Sequence, residues 1–301
     1  MFLTITGKLG SGKSTICKIF ADKYGFEIYS TGKIQRKIAN DMGISTLQLN
    51  ELMREDSRYD DLIDNEVVRI SKERKGDNII FDSRMAFHFV EDSYDIFTTI
   101  DPQEAAKRVM LSPRGNEEVY QNEETAKKKL LERGKVENLR FKDIYHVDNQ
   151  DYGNYSLILD TSWSGPEELA DLIHKMVSDG WNRQALHMLL SPKSVYPTAK
   201  ITNADMEKAE QYRKKMFADD EMITLVYFEN YHYIVNDCYK LIAALLDKKP
   251  FIQAKIVKVG ECGLSDSSDQ FIKRIGQVGK STLHDYENIG GFKYISYPEY
   301  Y

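Results

Sequence analysis

Apolar and polar positions follow two rhythms along this chain, and over the first half the two take turns. Short aliphatic or β-branched runs read as strands: Phe2 to Thr6, Gly25 to Ser30, Asn78 to Asp82, Asp95 to Ile100 and Tyr155 to Asp160. Between them the spacing is helical: from about Ser14 to Tyr24, from Thr31 on, across 37 to 75 with a break at Gly43, from Pro102 to Leu111, and from Glu123 to Lys142. In the stretch broken at Gly43, Leu47, Leu49, Leu52 and Met53 supply the apolar face, and two helices between consecutive strands have the look of an inserted flap. A last helix from Pro166 to Asp179 carries Leu169, Leu172, Ile173 and Met176 as a core stripe. Strands alternating with helices predict an α/β fold, a parallel doubly wound sheet flanked by helices.

The rhythm changes after Asp179-Gly180. Trp181 to Leu190 reads as an amphipathic helix, and Ser191 to Pro197 as a linker or domain entrance. Asn203 to Phe217 is helical. Ile223 to Phe228 and Tyr231 to Val235 are strands joined through Glu229-Asn230, Asp237 to Leu246 is an apolar helix, and Phe251 to Val259 is a further strand. The expectation is two domains, residues 1–180 and a small α+β domain over 190–301. The tyrosine-rich tail from Phe292 to Tyr301 packs on a domain or on a partner.

One stretch changes the picture from architecture to chemistry. Gly7-Lys-Leu-Gly-Ser-Gly-Lys-Ser14 fits G-x-x-x-x-G-K-[ST] at every position, after a strand and before a helix. Such a loop turns backbone N–H groups around phosphate oxygens, and the following helix aims its positive end at them. Gly7, Gly10, Ser11, Gly12, Lys13, Ser14 and Thr15 are the candidate ATP-binding residues, with Lys13 on the β- and γ-phosphates and Ser14 on Mg²⁺. Asp82 ends a short apolar strand, where an acid can hold Mg²⁺ through water.

Other charged residues carry two readings each. Thr31-Gly32 followed by Arg36 can hold a second phosphate, although a lone helix arginine is ordinarily a solvated charge. Arg133 and Arg140 lie seven residues apart with Glu137 between them, and on spacing alone a solvated helix laced with ion pairs is favoured. Asp60, Asp61 and Asp64 read as capping and surface residues, with no histidine or cysteine beside them to make a metal site. His88, which could contact a base, reads rather as partly buried between Phe87 and Phe89, while His232 and Cys238, which could be chemical, read as a hairpin residue and a helix-start residue. Lys280-Ser-Thr after Gly279 mimics a phosphate-loop ending but lacks the first glycine and a preceding strand.

Bulk properties narrow the classes. With 301 residues, 42% hydrophobic and 29% charged, the chain has an ordinary globular balance. A formal net charge of −6 argues against a nucleic-acid partner. Cys17, Cys238 and Cys262 are too few and too scattered for a disulfide framework or a zinc site. A strand starting at Phe2 leaves no room for a signal peptide, and no apolar run nears the roughly 18 residues of a membrane span, so a cytoplasmic protein is expected.

Taken in order, Gly7 to Thr15, Ser30-Thr-Gly-Lys-Ile-Gln-Arg36, Asn78-Ile-Ile-Phe-Asp-Ser-Arg84 and Glu132-Arg-Gly-Lys-Val-Glu-Asn-Leu-Arg-Phe141 resemble the nucleoside monophosphate kinases, and most of all the compact, archaeal-like cytidylate kinases. The resemblance runs from residue 1 to about 178. It implies a P-loop kinase that uses ATP and Mg²⁺ to phosphorylate a small-molecule nucleotide, CMP or dCMP. It also implies roles. Lys13, Arg84, Arg133 and Arg140 would be catalytic, with Arg133 and Arg140 as the lid pair; Arg108 and Arg114 would lie near the adenine and the transferring phosphoryl group. Thr31, Gly32, Arg36, Arg84 and Glu137 would hold the acceptor, and Ser14 and Asp82 the metal. Asp82-Ser83-Arg84 stands where Gly-Arg is more usual, and Met85-Ala-Phe-His-Phe follows where the base pocket should lie. From 190 to about 260, the strand, hairpin, Asn236-Asp-Cys-Tyr-Lys helix and strand resemble the ParB/sulfiredoxin-like domain, without its arginine-rich signatures. Two other readings stay open: a P-loop kinase of another small acceptor, and a nucleotide-sensing module that gates the C-terminal domain without turnover.

Overall fold

A strand that is apolar at every position must be covered on both faces, and β1 (Phe2–Gly7) is buried throughout. In a computed structural model the described residues are 1–44, 48–49, 52–53, 58–112, 120–214, 222–263 and 267–301. They form two units, Met1–Ile100 with Ala105–Leu186, and Asp101–Glu104 with His187–Tyr301.

In the first unit β1 is central. The order is β2 (Glu27–Ser30), β3 (Ile79–Asp82), β1, β4 (Ser93–Thr99), β5 (Leu157–Asp160), and every pair is parallel. Register matters more for function than order does. Ile5 pairs with Asp82 and Gly7 with Thr98, so β1 and β4 run past the end of β3 and the carboxyl ends of all three open on one edge. Ligands collect at that edge in open α/β sheets, because the strand-to-helix turns converge there.

The helices are α1 (Lys13–Tyr24), α2 (Thr31–Met42), α3 (Arg58–Glu73), the short α4 (Ala86–Phe89), α5 (Pro102–Leu111), α6 (Glu123–Tyr145) and α7 (Pro166–Ser178). Helix α1 buries Ile16, Cys17 and Phe20, and α7 buries Leu169, Ala170, Ile173 and Val177. Each such aliphatic or aromatic side chain is worth about 1.5–3 kcal/mol when fully buried. One core cluster joins α3 to the sheet through Val67, Ile70, Phe2, Ile79 and Phe81, which fixes the face that α3 turns elsewhere. Helix α2 stops at Gly43 (φ 68°), as the break in periodicity predicts, and Asn122 caps α6 by accepting from Thr125 N at 2.9 Å.

The second unit has a mixed sheet of five strands: β6 (His187–Leu190), β7 (Val195–Pro197), β8 (Ile223–Phe228), β9 (Tyr231–Asn236) and β10 (Ile252–Val257). Its order is β6-β10-β8-β9-β7, with β6–β10 and β8–β9 antiparallel and the other two pairs parallel. Helices α8 (Asn203–Lys214), α9 (Cys238–Leu246) and α10 (Ser268–Gly290) accompany it. The β8–β9 hairpin turns through Glu229 and Asn230, both at positive φ (45° and 72°), the requirement of a two-residue turn of this type. Lys280, Ser281 and Thr282 are helical, and Gly279 before them (φ 73°, ψ 163°) kinks α10. The tail packs within this unit, with Tyr294 buried and its hydroxyl donating to Val195 O at 3.1 Å.

Two expectations fail at the junction of the halves. Trp181 to Leu190 is not a helix. Gly180 at φ 74° ends α7, Trp181 N donates back to Met176 O at 3.1 Å, and the Trp181 ring packs on Tyr94. Of the four residues of β6, Met188 and Leu190 are buried, a period of two that the short run disguised. Of the two readings of Ser191 to Pro197, the linker fails, since β7 occupies its last three residues and pairs with β9. Pro197 is tolerated there because β7 stands last in the order of its sheet. Among the described residues no helix is long and apolar enough to cross a membrane, and the three cysteines are unpaired.

Candidate functional site

The loop from Gly7 to Ser14 works because three of its residues lack side chains. Gly7, Gly10 and Gly12 have φ of 142°, 79° and 83°. A β-carbon on Gly7 would stand 2.2 Å from the carbonyl and hydroxyl oxygens of Thr98. Ser11 is tied to the framework, its hydroxyl 2.7 Å from that of Thr98. The first turn of α1 has no acidic residue and Gly12 makes no side-chain cap, which leaves its N–H groups to a ligand. Lys13 Nζ donates to the Gly7 and Lys8 carbonyls, both at 3.1 Å, folding back over the loop that it would open to a nucleotide.

At the end of β3, Asp82 Oδ2 accepts from Ser14 Oγ and from Ser30 Oγ, each at 3.2 Å. A hydroxyl and a carboxylate this close are hard oxygen donors that fit Mg²⁺, which takes one or two protein ligands and fills the rest with water and phosphate.

The loop, Asp82 and the predicted arginines line one cavity of about 950 Å³. Thr31, Gly32 and Arg36 reach it from α2; Arg36 is exposed and makes no ion pair among the described residues. Arg84 follows β3; it donates to Gly7 O and lies 3.3 Å from Glu137 Oε2. Arg108, from α5, donates to Thr161 O at 2.7 Å, and a β-carbon on Gly12 would be 3.9 Å from its Nη1. Thr15 lines the cavity also. Arg114 lies outside the described residues, as does Leu47 of the predicted flap.

The lid pair on α6 divides. Arg133 is 44% exposed and holds Glu137 Oε1 at 2.8 Å. Arg140 is only 6% exposed, lies over the Phe141 ring, and puts Nη1 at 3.1 Å from both oxygens of Asp60, itself 7% exposed. Seven residues place both arginines on one face, yet one sits in the open cleft and the other is clamped to α3. Burial alone would raise the Glu137 carboxyl; Arg84, Arg133 and Arg140 outweigh it and hold Glu137 low, an anion among three cations.

Two readings of acids and one of a histidine are corrected here. Asp60 and Asp64 are not surface caps: Asp60 is buried, both line the cavity, and only Asp61 is exposed. Asp64 Oδ2 accepts from the Tyr145 hydroxyl on α6. Burial lifts Asp64 to about 6, with Tyr145 pulling the other way. The one available signal was the four-residue spacing of Asp60 and Asp64, which puts them on one side of a helix. His88 is exposed, its ring 4.9 Å from Phe89, and it does not line the cavity. His232 is buried in β9 and Cys238 begins α9, as read.

The model of the cytidylate kinase-like family matches residues 2–163. Cytidylate kinase of Natronomonas pharaonis is 32% identical over 178 residues, 59% of this chain and 90% of that one. Cytidylate kinase of Sulfolobus acidocaldarius is 31% identical over 194 residues and is covered completely. An S-adenosylmethionine-dependent nucleotide dehydratase of Lacinutrix mariniflava is 31% identical over 172 residues, but these are 34% of that protein.

Proposed function

The chain belongs to the cytidylate kinase-like family and is a phosphotransferase, and from that premise we propose that it transfers the γ-phosphoryl group of ATP, with Mg²⁺, to CMP or dCMP. The observation that carries the reading is the gathering of the P-loop, Asp82, Arg36, Arg84, Arg108 and Arg133 around one cavity. The acceptor is already an anion, so the reaction asks for in-line placement and for cations on the developing charge, and needs no general base.

Arg36 and Arg84 would clamp the acceptor monophosphate, Lys13 and the α1 N-terminus the ATP phosphates, and Arg108 and Arg133 would close on the transferring group. Guanidinium suits these positions because it meets phosphate oxygens with two parallel N–H groups. Ser14, and Asp82 through water, would hold Mg²⁺, which when bound neutralises charge on the phosphates. Glu137 serves as counter-ion to Arg84 and Arg133 until phosphate arrives; the arginines then turn to phosphate and Glu137 to a sugar hydroxyl. Residues 190–301 are proposed to be an accessory domain, of ParB/sulfiredoxin-like type over 190 to about 260, on the hairpin and helix β8–β9–α9.

The test is a screen of nucleoside monophosphates with the full chain, ATP and Mg²⁺, reading ADP and the diphosphate product. CMP or dCMP should be turned over at about 10² or more times the background ATP hydrolysis, on the order expected of aligned transfer. A screen in which every monophosphate leaves only background hydrolysis removes the proposal.

A further inference from the structure

Phosphoryl transfer gives Asp64 nothing to do. The groups that would meet phosphate are arginines, a lysine and backbone N–H; a carboxylate in the same cavity repels phosphate and must face something else. Asp60, one turn away on α3, is spent on Arg140. Asp64 makes no ion pair among the described residues; Tyr145 occupies Oδ2, and among those residues no donor reaches Oδ1. Ile63, Met85, Phe141 and Tyr145 give the cavity apolar and aromatic lining, while Asp60, which lines it beside Asp64, is closed off by Arg140. A wall of that kind with one hydrogen-bond acceptor suits the flat faces and one donor edge of a base.

If the acceptor is a cytidine nucleotide, the reading on which this inference rests, its donors are the sugar hydroxyls and the exocyclic 4-amine. Glu137 stands beside the phosphate arginines and is placed for the sugar, which leaves the amine. We propose that Asp64 reads the acceptor base, with Oδ1 accepting from the 4-amine of cytosine and meeting the 4-carbonyl of uracil oxygen to oxygen, and that Tyr145 is the positioning residue that turns Oδ1 inward. A buried acceptor left facing another acceptor is the strongest form of rejection a pocket of this kind has.

Asp64→Asn keeps the shape and presents an amide that can donate to a 4-carbonyl. With the full-length protein, saturating ATP and initial rates on CMP and UMP, the ratio of kcat/KM for CMP over UMP should fall about 100-fold, CMP losing and UMP gaining. The KM for ATP should stay within error of wild type, and the thermal midpoint should not fall, since a neutral amide removes the cost of burying the charge. The wild-type ratio should also fall as pH drops through about 6, where Asp64 takes a proton and becomes a donor. The groups facing Asp64 are Asp60 and Asp61 on α3, which raise it, and Arg140 and Tyr145 on α6, which lower it. Tyr145→Phe removes a lowering contact, so it should move that midpoint upward, which a merely structural role for the phenol would not do. A ratio unchanged in Asp64→Asn, or equal losses on both nucleotides, overturns the base-reading role while wild-type CMP turnover keeps the kinase reading intact. Wild-type protein inactive on CMP and dCMP overturns the acceptor reading, and this inference with it.

Discussion

At Gly10 the backbone sits at φ 79°, and a β-carbon would come within 2.9 Å of the Cα, Cβ and carbonyl oxygen of Ala105. A flexible neighbour could yield; helix backbone cannot. Gly10→Ala therefore has to reshape the phosphate loop, and ATP affinity by titration calorimetry should fall at least about 10-fold, since each lost 1.4 kcal/mol is a factor of ten. Gly25, also left-handed (φ 70°), has nothing within 4 Å of its β-carbon direction. Gly25→Ala should cost about 1 kcal/mol of stability and leave ATP affinity alone. Equal affinities for the two variants would mean that the loop's geometry is not what binds nucleotide. Lys13→Ala should lower kcat about 10²–10³-fold, the size of losing one preorganised contact to developing charge; an unchanged kcat would take the lysine out of the site. The loop's turn and the helix after it were legible in the sequence, because eight consecutive residues specify them; the close approach of Gly10 to Ala105 was not, because it joins distant parts of the chain.

Between elements the sequence is a poorer guide, and Arg140 shows why. Its heptad spacing from Arg133 gives the face of α6, but its partner Asp60 lies 80 residues away on α3, a distance that no local pattern spans. The same gap hid Asp64, which read as a capping or surface residue because nothing local says which side of α3 the cavity takes. The pair has an energetic signature. Removing one member of a buried ion pair leaves an uncompensated charge and typically costs about 3–5 kcal/mol. Arg140→Ala should therefore lower stability by that order, while Asp60→Asn/Arg140→Ala should recover part of the loss. Chemical denaturation followed by tryptophan emission checks this, and strictly additive losses would show that the two groups do not compensate each other.

Across the whole molecule the two units answer acid oppositely. In the first, burial lifts Asp64 and Asp95 to about 6 from an ordinary 3.8. Asp95 is satisfied by the hydroxyls of Thr4 and Ser93 at 2.7 and 2.6 Å, with Arg183 as its nearest cation, too weak an influence to offset desolvation. A raised carboxyl binds its proton more readily folded than unfolded, so its stabilising protonation is lost as pH rises through about 6. Going from pH 7.5 to 5 the first unit gains about 1 kcal/mol per group, because each tenfold difference in proton affinity between folded and unfolded chain is worth roughly 1.36 kcal/mol and partial exposure trims the total. In the second unit Glu287 is the reverse case. Burial pushes it up, but His284, Lys293, Tyr297 and the Tyr294 N–H together bring it down to about 2, from 4.5. Its contribution is complete above pH 4.5 and fades only below that. Both tryptophans, Trp163 and Trp181, belong to the first unit, so their emission reports it alone, and hydrogen exchange in β9 and α9 reports the other. The tryptophan-detected melting temperature should climb by a few degrees between pH 7.5 and 5 while protection of β9 and α9 holds steady, falling only below about pH 4.5. Asp95→Asn keeps an oxygen for Thr4 and Ser93 and removes the titration, so it should abolish about half of the climb. A melting temperature flat across that interval would mean that neither carboxyl is held in the low-dielectric setting that the first unit's core gives it.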